Sequence, residues 1–203
     1  EELDLPAGYS VTWSGQYEYM LRAKEKLTYV VPLTLAIIVI LLFLNFRRFA
    51  EVGIIMGTLP FAMIGAIWLM YLLGYNFSVA VGVGFIALAG VAVEIGVIML
   101  VYLNQSYEEM LQTCKEKGAT PRRETLRLAV LHGAGLRVRP IMMTAAAIIG
   151  GLVPIMVSTG TGSEVMGRIA APMVGGMISA VILALLVIPV GYYLWKCRSI
   201  SEG

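Results

Sequence analysis

One acid, Glu94, is the sole charged residue in the run "IALAGVAVEIGVIMLVYL" from Ile86 to Leu103. The run is long and apolar enough to lie in lipid, where a carboxylate at mid-depth costs about 2.5–3.5 kcal/mol on insertion scales. Read as part of a helical span over 77–103, Glu94 sits roughly 25 Å along a segment of about 40 Å. On a helical wheel Ala87, Gly90, Glu94 and Val97 share one face, so small residues flank the acid and admit another helix closely. No other apolar run holds an interior Lys, Arg, His or Asp that could pair with it. An acid placed this way binds and releases a proton, which is the chemistry of a proton relay. The plainer alternative is a permanently protonated Glu94 bonded to a neighbouring helix. The relay is the reading favoured here.

The second chemistry on offer is that of sulfur. The chain has 12 methionines, and thioethers are soft ligands suited to Cu(I) and Ag(I). Met166, Met173 and Met177 lie in or just before the last apolar run, with Met173 and Met177 on one face and Met166 seven residues earlier. Met56, Met63 and Met70 form a stripe at sevenfold spacing, for which packing is the better reading, because Met is an adaptable core filler. His132 reads as a surface residue at an amphipathic helix end. Glu164 and Arg168 could form a local ion pair or serve transport. The "TGTGSE" stretch resembles a phosphate loop but lacks its lysine. Cys114 and Cys197 have neither metal-ligand spacing nor, if both face the cytoplasm, a reason to form a disulfide.

The elements that must position these groups are apolar. Of the 203 residues 59% are hydrophobic and 14% charged, against about 25% charged in soluble domains. The fold class expected is an all-α polytopic membrane protein. Its five spans fall at 27–46, 52–73, 77–103, 141–157 and 169–195, each near the 20 residues a bilayer requires. The net charge of +2 gives no sign of nucleic-acid binding. Eleven Lys and Arg fall between alternate spans or in the 197–203 tail region, including Lys196, and four fall on the other side. The richer side should be cytoplasmic, with the N-terminus outside. Residues 1–26 read as the end of an external domain, a strand in "GYSVTWSGQ" followed by a helix in "YEYMLRAKEK". The 104–140 segment reads as a cytoplasmic loop. In it a short amphipathic helix, capped by Thr120 with Pro121 at its first position and ended at Gly133, should lie on the lipid surface. The chain opens on Glu1 with no signal-peptide pattern, so it reads as a piece of something longer or a truncated copy.

Four stretches together, "LPAGYSVTWSGQYEYMLRA", "FIALAGVAVEIGVIMLVYLNQ", "LRVRPIMMT" and "TGTGSEVMGRIAAPMVGGMI", resemble the C-terminal part of the heavy-metal resistance–nodulation–division (RND) efflux pumps, and most of all the copper/silver cation exporters. The resemblance covers nearly the whole chain. It implies that the five spans are the last five of a twelve-helix bundle, with residues 1–26 closing the periplasmic porter domain. It also implies a homotrimer in the Gram-negative inner membrane, joined to a periplasmic adaptor and an outer-membrane channel. Such pumps export metal ions in exchange for protons, with no permanently bound cofactor; Cu(I) or Ag(I) is the cargo. The resemblance assigns Glu94 to the proton relay and Met166 to a methionine route for the ion; Met173 and Met177 are weaker candidates from their shared helical face alone. Copper/silver members carry a relay lysine where this chain has Ile141, and the relay aspartate and main periplasmic site lie outside these residues. Two other expectations stand beside this one: a truncated, transport-inactive copy, or an exporter of divalent zinc, cobalt or nickel, or of organic cargo.

Overall fold

The computed structural model describes residues 16–116, 118 and 123–201, and all regular structure among them is helical. Five helices follow one another: α1 (Gln16–Phe46), α2 (Phe49–Leu72), α3 (Val79–Glu116), α4 (Arg123–Val157) and α5 (Ser163–Ser201). Each expected span falls on its own helix, and all five helices are long and apolar enough to cross a bilayer. Among the described residues the chain has the architecture of an all-α membrane protein. The expected strand lies, but for Gln16, outside the described residues. The mixed-charge stretch after it runs unbroken into the first span as part of α1, with an ion pair between Arg22 and Glu18 one turn apart.

Glu1–Leu41 and Leu42–Gly203 form separate compact units. In the second, α5 packs against α2, α3 and α4, and α3 also touches α2 and α4. Lipid removes the hydrophobic drive between helices, so small residues that let backbones meet must hold them together. The sequence provides them. A Cβ added at Gly175 of α5 would lie 2.5 Å from the Gly65 carbonyl oxygen and 2.6 Å from Leu69 Cβ on α2. Four residues on, the Ser179 hydroxyl donates to the Ala62 carbonyl of α2 at 2.9 Å. Gly84 of α3 backs in the same way onto the Ile169 carbonyl of α5. Leu59, Ala62, Ala92 and Ala180 join these helices in a buried cluster, with Met56 packed against it.

Two turns show how the short connections close. Arg47 adopts a left-handed φ of 55° and donates its N–H to the Phe43 carbonyl at 2.8 Å, stopping α1. Between α4 and α5 the "TGTGSE" stretch is a capping turn. Gly162 takes φ 90°, and the Ser163 hydroxyl accepts from the Gly160 N–H at 3.1 Å while donating to its carbonyl at 2.7 Å.

The 104–140 segment departs from expectation. Thr120 and Pro121 lie outside the described residues, but the helix after them does not end at Gly133: α4 continues from Arg123 to Val157. Likewise α3 runs thirteen residues past Leu103 to Glu116. Gly133 is a contact point. A Cβ there would meet Ser106 Oγ at 2.8 Å and the Tyr102 carbonyl at 3.0 Å, so the missing side chain lets α4 lie against α3. The spanning helix α4 therefore carries Arg137, whose guanidinium stacks 3.6 Å over the Tyr102 ring with its Nε buried and unbonded.

Candidate functional site

Glu94 is held at the middle of α3 by a helix whose opposite face is buried. Leu88, Ala92, Ile95, Met99 and Leu103 fill that face. Glu94 and Gly90 are exposed, with Ala87 and Val97 half-buried beside them. A Cβ at Gly90 would meet nothing within 4 Å. Among the described residues no hydrogen bond or ion pair reaches Glu94. The acid thus stands on a small-residue face turned away from the helices this chain packs together. What can be done there is proton exchange, or pairing with a group supplied from beyond α2–α5.

The sulfurs do not converge. Met166 lies in the first turn of α5 and is 58% exposed. Met173 is half-buried and Met177 buried. Along the helix the three extend over about 16 Å, so they form no closed coordination sphere. Met56 and Met63 are half-buried and Met70 buried, as expected of packing. Met63 and Met70 also line an open cleft of about 470 Å³ with Tyr71, Tyr75, Phe77 and Phe85. Among the described residues no three His, Cys, Asp or Glu are placed to hold an ion. Cys114 and Cys197 are free. Glu164 and Arg168 do not pair, and His132 is exposed. Ile141 is buried in α4.

A second polar group lies about three turns along α3 from Glu94, at Asn104. Glu51 of α2 is only 2% exposed. Its Oε2 accepts from the Asn104 side-chain N–H of α3 at 3.0 Å, and the Asn104 Oδ1 accepts from the Tyr192 hydroxyl of α5 at 2.7 Å. One turn beyond, Lys196 is buried, with its Nζ 4.1 Å from the Tyr107 ring centre, 4.7 Å from that of Trp195 and 5.5 Å from that of Tyr192. Arg48 lies 5.8 Å over the Trp195 ring. Three helices are thus joined at one end by a buried acid, an amide, a phenol and a ring-enclosed ammonium. The sequence signal was slight: Glu51 and Asn104 are the first polar residues at the edges of apolar runs.

Residues 1–196 match the model of the AcrB/AcrD/AcrF family. The chain is 53% identical over 199 residues to SilA of Salmonella typhimurium, and 52% identical over 199 residues to the cation efflux system protein CusA of Escherichia coli K12. Each match covers 98% of this chain and 19% of the relative. The cobalt-zinc-cadmium resistance protein CzcA of Cupriavidus metallidurans is 37% identical over 193 residues, covering 95% of this chain and 17% of that protein. A crystal structure of a heavy metal efflux pump superposes with a TM-score of 0.76 at 36% identity, over 96% of this chain and 18% of that one. The chain spans about a fifth of the length of the relatives it matches.

Proposed function

The chain belongs to the AcrB/AcrD/AcrF family, a family of transporters, and from that premise we propose that it is the membrane-embedded end of a proton-driven metal exporter. Its cargo in this reading is Cu(I) or Ag(I), its spans are the last five of twelve, and Glu94 is a member of the proton relay. The observation that carries the reading is the position of Glu94: a lone acid at the middle of a spanning helix, unbonded, on a face that α2, α4 and α5 leave open. An acid so placed is costly in lipid, and the cost is met when a second half of the membrane domain faces it with water or a charged partner. Alternating access in such transporters arises from one half moving against the other, and each movement would change whether Glu94 is paired.

Met166 is proposed as a thioether on the ion's route, with Met173 and Met177 as weaker steps. Exposure at the start of α5 supports the first. The orientation proposed puts the N-terminus in the periplasm and the C-terminus in the cytoplasm, following the distribution of Lys and Arg. Trimerisation, a periplasmic adaptor and an outer-membrane channel belong to the same proposal.

A divalent cargo is the second reading, favoured by Ile141. A buried apolar side chain stands where copper/silver members carry lysine, and a divalent-metal resistance protein matches at 37% identity. Growth of cells on graded copper, silver, zinc and cobalt tests both, using the gene that encodes these residues. Glu94→Gln should abolish tolerance to every exported metal at unchanged protein level. Met166→Ile should lower copper and silver tolerance alone. Tolerance confined to zinc and cobalt would select the divalent reading, and full tolerance with Glu94→Gln would remove the relay.

A further inference from the structure

We propose that the cleft between the N-terminal end of α4 and the C-terminal end of α5 binds the headgroup of an anionic phospholipid, with an acyl chain laid along α5. The cleft holds about 650 Å³ and is lined by Arg123 of α4 and by Tyr193, Leu194, Trp195, Cys197 and Arg198 of α5. Arg123 and Arg198 are both exposed, and so is Arg127 one turn further along α4. The single acid described in these turns, Glu124, is exposed beside them. Two guanidinium groups facing one cleft suit a phosphodiester, because the planar fork of arginine bonds phosphate oxygens in pairs.

The depth is right for a headgroup. α4 and α5 have 35 and 39 residues and are joined by the short turn after Val157, so their far ends come level with each other. Trp and Tyr beside Arg are the residues of a membrane boundary, and basic clefts between spanning helices are where anionic headgroups settle. The apolar part of a lipid has a surface as well. Leu186, Val190 and Leu194 are 62%, 56% and 59% exposed at spacings of four, and Arg198 is the next residue in that series. Between Leu186 and Leu194 lies about 12 Å of aliphatic surface, and it leads directly to the charge. An apolar helix seated here would desolvate the arginines without pairing them, so charge complementarity selects the lipid. The site rests on the spans alone and is independent of the transport reading and of the leaflet.

The test is native mass spectrometry of the chain released from nanodiscs made of phosphatidylglycerol and phosphatidylethanolamine in equal amounts with identical acyl chains. The parent should retain mainly phosphatidylglycerol. Its excess should fall about fivefold for each arginine removed in Arg123→Gln/Arg198→Gln, and fall by less in Arg123→Lys/Arg198→Lys, which keeps both charges and loses both forks. In the parent itself the excess should shrink as salt is raised, a readout that needs no variant. Arg168→Gln, at the opposite end of α5, should leave it unchanged. Equal retention of the two lipids would overturn the proposal, as would an excess insensitive to Arg123→Gln/Arg198→Gln. A lipid-free dimer would overturn it too, by placing a second copy of the chain on this face.

Discussion

Asn104 holds the buried polar group together, because its amide gives a hydrogen to Glu51 and its carbonyl takes one from Tyr192. Each bond joins a different pair of helices. Tyr192→Phe removes the second while keeping the ring that faces Lys196, and should lower stability by about 0.5–1.5 kcal/mol. Glu51→Ala does more, leaving the half-buried Asn104 amide without its acceptor, and should cost about 1–3 kcal/mol. Thermal unfolding of the purified protein, followed by helical circular dichroism, measures both, and equal loss for the two would contradict this ordering. Glu94 was legible because a charge inside an apolar run needs no tertiary information to be noticed. Glu51, Asn104 and Tyr192 were not, since the bonds link positions 53 and 88 residues apart and each residue alone reads as the edge of a span.

Helices meet here through missing side chains, and that can be tested one glycine at a time. Gly175→Ala would press a methyl against the α2 backbone at Gly65, and overpacking of this kind costs about 1–3 kcal/mol. Gly57→Ala is the matched control. It lies inside α2, where an added Cβ meets nothing within 4 Å, so the better helix propensity of alanine should stabilise by up to about 1 kcal/mol. The same unfolding measurement should move the two variants in opposite directions. The spans were legible because a long apolar run has few alternatives in lipid. The lengths of α3 and α4 were not. Their mixed polar and apolar continuations lack an uninterrupted apolar run, and Gly133 looks like a helix stop until Ser106 is seen against it. Glycine carries both meanings, and only the neighbouring helix decides between them.

At the scale of the whole molecule, four packed helices turn one mid-span acid, Glu94, outward. The covered face of α3 accounts for its stability in contact with α2, α4 and α5, and the uncovered face carries Glu94. The account predicts that this acid does no structural work within the chain, so Glu94→Gln should leave its unfolding temperature unchanged while stopping proton movement. The most direct test is proton release in everted membrane vesicles from cells expressing the gene that carries these residues. With an acid-inside gradient established and a pH-sensitive dye following it, adding Cu(I) outside should collapse the gradient as metal enters and protons leave. In Glu94→Gln vesicles the gradient should hold. Collapse at the parental rate with Glu94→Gln, at equal protein level, would contradict the account.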